Sequence, residues 1–280
     1  MKKYIALLLA ILMVAACFAG CAKPDANTTT AADNTTAAAD DTTAAAASDL
    51  DYITENGKLI VGITDYAPMD YKDENGEWTG FDAEFAILFA EELGVEVEFF
   101  VIGDWGKKFV ELETKNIDCV WNGMTITDEA KLNASVSDPY VVNAQVVVAK
   151  ADIIDTITSA EDLKELSVAV ENGSAGQDAA EAAEIENIVA VQDQAAALLE
   201  VKAGTSDACV IDITMANAMT GEGTDYADLA AGISLTSEEY GVAFRQDSDL
   251  TAKFNEFMAK LVEDGTLQEL ADKYELTLAG

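Results

Sequence analysis

The sequence predicts an α/β fold in two lobes with a cleft between them. Three observations carry that reading. From Lys58 onward, short β-branched or apolar runs alternate with amphipathic stretches, the pattern of a mainly parallel sheet flanked by helices. Two segments, around 126–145 and 221–240, lack clear periodicity and lie between two blocks of alternating elements. Half of the 280 residues are apolar, enough for a real core in one large domain or two modest ones. One lobe inserted into another needs two connecting segments, and the groove between the lobes is a natural place for a ligand.

Taken in order, strands are expected at 58–63, 95–101, 118–121, 145–149, 167–170, 187–191, 208–211 and 241–244. Helices are expected at 82–93, 105–114, 160–166, 175–183, 194–203, 213–219, 250–263 and 267–274. Asn75-Gly76 marks a turn between Tyr71 and Trp78, and Gly94 and Gly265 stand where helices end. Thr266 with Glu269 has the spacing of a capping box for the last helix.

Before the alternation begins, the chain reads as an address and a tether. Lys2 and Lys3 precede an apolar stretch, 4–16, laid out like a secretory signal and too short for a stable bilayer span. Val14-Ala15-Ala16-Cys17 and Phe18-Ala19-Gly20-Cys21 place small residues before a cysteine twice over. This stretch resembles bacterial lipoprotein signals, in which the cysteine becomes the lipid-modified first residue of the mature chain. Val14 favours Cys17, but the polar segment starts only after Cys21. Residues 1–21 are therefore read as the signal peptide and Cys21 as the lipidation site, with Cys17 as the alternative. Residues 22–49 are almost entirely Ala, Thr, Asp and Asn, with no apolar face, and read as a disordered linker. As a flexible coil it reaches roughly 30 Å in root-mean-square terms.

Charge and composition remove several function classes. With 52 Asp+Glu against 16 Lys+Arg, the formal charge of −36 repels phosphate backbones and excludes nucleic acid as a partner. The absence of histidine removes the commonest general base, Ser-His and Cys-His nucleophiles, and His-containing zinc sites. Cys119 and Cys209 sit far apart in apolar strand-like runs, so buried free thiols are expected rather than a disulfide. No cofactor and no metal site is expected.

One resemblance runs the length of the alternating region. Gly80-Phe81-Asp82-Ala83-Glu84-Phe85-Ala86-Ile87-Leu88-Phe89-Ala90-Glu91-Glu92-Leu93 resembles the signature of the bacterial family-three solute-binding proteins, the polar amino-acid receptors of ABC importers. Ala83 and Phe89 depart slightly from the pattern. The likeness continues through 117–127, Ser137-Asp138-Pro139-Tyr140, 239–245 and Asp264-Gly265-Thr266-Leu267. It implies a periplasmic-binding-protein-like type II fold, two lobes with a hinge and a central ligand cleft. Lobe one would comprise 50–142 and 240–280, and lobe two 143–239.

The resemblance also implies a function: an extracytoplasmic substrate-binding lipoprotein, anchored by its lipid to the outer face of the cell membrane. As a monomer it would capture a small polar amine-bearing solute, an amino acid by family precedent, and serve an ABC transporter permease. It would not be an enzyme, although dehydratases and cell-wall lytic enzymes use the same fold. A sensory lipoprotein that feeds no importer is a further alternative.

Ligand contacts carry over by position. Tyr66 and Trp105 match aromatic or apolar walls, and otherwise read as core or surface aromatics. Asn122, Gly123 and Thr125 match a ligand-contacting loop after a strand. Gly173 and Ser174 precede a helix whose free N–H groups suit an anion, or simply form its N-cap. Asp212 matches the acid that pairs with an α-ammonium, or caps the helix after it. Where the family has an arginine gripping the α-carboxylate, this chain has Ala130, with Lys131 beside it. Asp65, Glu171 and Asp212 then favour a cationic ligand, and an ordinary α-amino acid becomes the expectation if Lys131 reaches the cleft.

Overall fold

The computed structural model describes residues 48–280. The expected signal, lipidation cysteines and nearly all of the linker lie outside the described residues. The linker was expected to run to 49, but Ser48 already caps a helix, Asp49–Asn56, and its hydroxyl donates to Asp249 at 2.6 Å.

Two five-stranded sheets carry the fold. The first runs Glu96–Val101, Lys58–Ile63, Cys119–Val120, Ala243–Phe244, Ser135–Val136 in spatial order. Its first three strands are parallel and the last two pair antiparallel. The second runs Asn187–Val191, Ser167–Glu171, Ala208–Asp212, Gln145–Lys150, Leu229–Ser234. Again three parallel strands are followed by antiparallel pairings. Each sheet is thus mixed. Central strands such as Ala208–Asp212 are buried along their whole length and read as unbroken apolar runs.

The chain passes between the sheets where periodicity fails. Val141–Asn143 pairs antiparallel with Glu238–Tyr240, Val142 opposite Glu239, as a two-stranded ribbon of its own. Strands this short, held by a partner about a hundred residues away, leave no run for a sequence pattern to display.

Around the first sheet the core is aromatic. Phe81–Leu93 and Leu250–Glu263 pack Phe85, Phe89 and Phe254 about Trp121, whose ring centroid lies 4.9 Å from that of Phe254. Arg245, which follows the Ala243–Phe244 strand, is buried as well. Its Nε donates to both oxygens of Asp49 at 3.0 Å, Nη2 to Asp118 at 3.0 Å and Nη1 to the Ile117 carbonyl at 2.8 Å.

Several expected elements differ in detail. The 105–114 helix is a 3-10 turn, Trp105–Lys107, followed by an α-helix, Lys108–Glu113. The 160–166 helix shrinks to the 3-10 turn Ala160–Leu163. An unforeseen helix, Asp128–Asn133, begins where the Thr127 hydroxyl accepts the Ala130 N–H at 3.0 Å. The last helix, Thr266–Lys273, is not closed by a capping box: Gly265 is its N-cap, and the Thr266 N–H donates to Asp264. Cys119 and Cys209 are buried free thiols, as expected. No helix among the described residues is long and apolar enough to cross a membrane.

Candidate functional site

Parallel strands deliver their following loops to one edge of a sheet, and here both sheets present those edges to a shared cavity. From the first sheet come Tyr66 after Lys58–Ile63, and Asn122, Gly123 and Thr125 after Cys119–Val120. The second contributes Glu171, Gly173 and Ser174 around the end of Ser167–Glu171, and Asp212 at the end of Ala208–Asp212. Between them lie about 500 Å³ of space not filled by atoms, the mouth included.

Of the expected ligand-contact residues, Tyr66, Trp105, Asn122, Gly123, Thr125, Glu171, Gly173, Ser174 and Asp212 line this cavity. Two expected residues are placed elsewhere. Asp65 is exposed outside the wall, and Lys131 sits on the exposed side of Asp128–Asn133. Ala130, one residue before Lys131, is the part of that helix that faces in. Neighbouring helix positions diverge by about 100°, so the two side chains cannot share a direction.

The wall residues are held from behind. Asp82, the acid of the Gly-Phe-Asp signature, is fully buried and accepts the Gly123 N–H at 2.6 Å and the Tyr140 hydroxyl at 2.8 Å. The Asn122 side chain turns inward as well, donating to Asp70 at 2.7 Å and accepting from Thr64. Both groups therefore shape the loop rather than offering those polar atoms to the cavity. Gly123 has a positive φ of 54°, and a Cβ there would stand 2.5 Å from the Tyr66 ring. Ser174 caps the Ala175–Ala182 helix, its hydroxyl accepting from Gln177.

Asp212 stands at the N-cap position of the helix that follows it, but its side chain makes no capping bond there. Its carboxylate instead accepts from three amides: Asn143 and Gln145 on Oδ1, Gln194 on Oδ2. Gln194 also accepts the Asp212 backbone N–H at 2.9 Å, so side chain and strand end lock together. Glu171 contrasts with this. It is only 3% exposed, and its Oε1 has no hydrogen-bond partner. Burial, then the charges of Asp212 and Asp193, hold its carboxyl well above the usual range. Burial, and next Glu238, raise Asp212 to about 6.

The site's cation was not foreseen. Lys108 lines the cavity, while Glu129, Glu171, Asp178 and Asp212 supply four carboxyl groups. Its ammonium lies 5.0 Å from the centroids of Trp105 and Phe109 and donates to the Gly173 carbonyl across the cleft at 3.1 Å. A helical signal was present. Trp105, Lys108 and Leu112 are spaced i, i+3, i+7, which places the lysine on the same buried face as the two apolar residues. Gln145 and Gln194, at the starts of a strand and a helix, carried no comparable signal.

Three further contacts join the two walls. The Tyr66 hydroxyl lies 2.5 Å from Thr214 Oγ1, Asn172 donates to Asp104 at 3.0 Å, and the backbones of Gly106 and Gly173 touch. A cleft closed at its lips, with buried carboxyls on its floor, suits a small solute enclosed by both lobes.

Known proteins share this fold and sequence pattern. Residues 59–277 match the bacterial extracellular solute-binding proteins, family 3. The L-cystine-binding protein TcyJ of Escherichia coli (strain K12) is 30% identical over 228 residues, covering 80% of this chain and 85% of TcyJ. The arginine-binding extracellular protein ArtP of Bacillus subtilis (strain 168) is 32% identical over 229 residues, 79% of this chain and 88% of ArtP. The crystal structure of the ancestral amino acid-binding protein AncCDT-1, a precursor of cyclohexadienyl dehydratase, superposes with a TM-score of 0.74. It is 36% identical, covering 81% of this chain and 99% of AncCDT-1. These relatives agree with the two-lobed, mixed α/β architecture and with a solute-binding role, and the chain belongs to the bacterial extracellular solute-binding proteins, family 3.

Proposed function

We propose that this protein captures a small amine-bearing solute, an amino acid, between lobes formed by 50–142 with 240–280 and by 143–239. It then passes the solute to an ABC importer. The observation that carries the reading is the unpartnered Oε1 of Glu171, buried beside Asp212 in the cavity wall. A ligand ammonium gives the Glu171 oxygen its missing donor and adds a charge partner for Asp212, and a charge-assisted bond of this kind contributes about 1.5–3 kcal/mol. TcyJ and ArtP are named for binding cystine and arginine, both of which carry an α-ammonium.

The same reading makes the protein a monomeric binding protein rather than an enzyme. It places it on the outer face of the cell membrane, held by a lipid on Cys21, or on Cys17. The small residues before each cysteine and the Ala/Thr/Asp linker support that placement.

Thermal unfolding with each common amino acid and a set of simple amines tests capture. One or a few should raise the midpoint, and calorimetry should then give one site per chain. A panel that moves nothing at millimolar concentration removes the reading. Incorporation of labelled palmitate into cells expressing the wild type, Cys17→Ala and Cys21→Ala tests the anchor, with label expected to vanish only in Cys21→Ala.

A further inference from the structure

Lys108 is a buried cation without an anion. Its side chain reaches the cavity from the first turn of Lys108–Glu113, and the residue is 7% exposed. Two carbonyls, Gly173 at 3.1 Å and Trp105 at 3.4 Å, receive its N–H groups. An ammonium has three such donors. Among the described residues Lys108 forms no ion pair, although most other lysines on ordered elements do, including its neighbour Lys107 with Asp104 at 2.8 Å. Burial pulls its ammonium below the usual lysine range, and the cavity carboxyls, Glu129 first and then Glu171 and Asp178, oppose this only from a distance, none forming an ion pair with it. Had Lys108 served as their internal counterion, a flexible four-carbon side chain would have closed on one of them.

Glu171 is the mirror case, a buried carboxyl oxygen without a donor. One cavity therefore holds an ammonium without an anion and a carboxyl oxygen without a donor on opposite walls, with Lys108 on the lobe of Ala130 and Glu171 on the other. Buried polar groups left unpaired are costly, and a ligand carrying both an ammonium and a carboxylate supplies the missing partner of each. Ala130 adds the space. Its methyl faces the cavity where a longer side chain would fill it, and Lys108 lies on the adjoining helix.

We propose that Lys108 binds the carboxylate of a zwitterionic ligand whose ammonium sits on Glu171 and Asp212, making it the residue that separates amino acids from their decarboxylated amines. This rests on the amino-acid reading above. The rings of Trp105 and Phe109, each 5.0 Å from the ammonium, help fix its position, and its bond to the Gly173 carbonyl ties the same group to lobe closure.

The test compares three acid and amine pairs by calorimetry on the full chain: L-arginine with agmatine, L-cystine with cystamine, and L-histidine with histamine. The wild type should prefer the amino acid of the tightest pair by about tenfold or more. Lys108→Met should weaken that amino acid by a similar factor and leave its amine within about threefold, so that the preference collapses. Lys108→Arg should keep it. Because the readout is a ratio of two ligands, a general loss of closure in Lys108→Met cancels. Equal weakening of acid and amine in Lys108→Met, or no change in either, overturns the carboxylate role while leaving solute capture intact. If neither these three nor any other common amino acid binds the wild type, the amino-acid reading falls and the role of Lys108 falls with it; if another one binds, it and its decarboxylated amine form the pair compared.

Discussion

A Cβ on Gly173 would stand 2.5 Å from the Cα of Gly106, so the two lobes meet at that point backbone to backbone. Gly173 also holds φ at +71°, a left-handed conformation that costs an L-residue about 1 kcal/mol. Gly173→Ala keeps the second sheet intact but blocks the last step of closure, because the obstacle is backbone rather than a movable side chain. The expected result is a tenfold or greater loss of affinity, about 1.4 kcal/mol or more, for whichever amino acid gives the largest thermal shift. Small-angle scattering should show a radius of gyration that fails to contract on saturation. Full contraction and unchanged affinity would show that the contact does not limit closure.

Tyr66 contributes differently. Its hydroxyl bridges Thr214 on one lobe and Tyr240, each at 2.5 Å, while Thr214 and Tyr240 are already bonded to each other at 3.0 Å. Removing the oxygen leaves both partners satisfied, so Tyr66→Phe avoids the usual penalty for an orphaned buried group. Stability should change by less than about 1 kcal/mol while ligand dissociation accelerates several-fold, because the lost bond is one that joins the lobes. Stopped-flow release set beside urea unfolding separates the two effects, and a large stability loss without faster release would contradict this.

The alternation of strands and helices was legible because buried parallel strands need continuous β-branched runs, as in Ala208–Asp212, and because helices such as Leu250–Glu263 show their apolar face at i, i+3, i+4. Short paired segments were not. Ser135–Val136 and Glu238–Tyr240 exist through partners distant in sequence, Phe244 and Val141 among them. At the site, Glu171 and Asp212 were readable as strand-end residues, whereas Glu129 and Asp178 lie on helices without a signal, Asp65 falls outside the wall, and the cation was misplaced. Lys131 drew attention by standing next to Ala130, yet a helix turns such neighbours apart. Lys108 looked like an ordinary helix lysine until its spacing from Trp105 and Leu112 is counted.

Arg245 tests the core instead of the cleft. It closes a buried set with Asp49 and Asp118, and the same guanidinium supports the Ile117 carbonyl at a strand entry. Arg245→Lys retains charge but has one nitrogen where three were bonded, leaving carboxylate oxygens unpaired in a dry site. A loss of about 3–5 kcal/mol is expected by chemical denaturation, the range for breaking a buried pair from one side. The first helix, Asp49–Asn56, should lose its amide protection before the rest of the lobe, since Asp49 holds it to Arg245. Uniform loss of protection across the lobe would deny that helix a separate attachment.

The site's buried acids predict opposite pH trends for stability and binding. Burial raises Asp212 to about 6 and Asp82 to about 7, both from the ordinary aspartate value of 3.8, and Glu171 moves the same way. Between those limits the folded chain holds protons that the unfolded chain has released, so unfolding gives them up. The associated stability is fully present below the ordinary value and is lost as pH rises through about 6 and then about 7. Ligand-free midpoints should therefore climb as pH is lowered from 8 towards 5. Self-repulsion from the −36 charge acts in the same direction, so Asp212→Asn and Glu171→Gln serve as controls, each expected to flatten the slope. Binding must run the other way. A ligand ammonium needs the carboxylates ionised, so affinity should fall below about pH 6 by up to one log unit per pH unit for each proton taken up. Calorimetry in buffers of different ionisation enthalpy counts those protons directly. An affinity that rises on acidification would place the ligand's positive group away from Glu171 and Asp212.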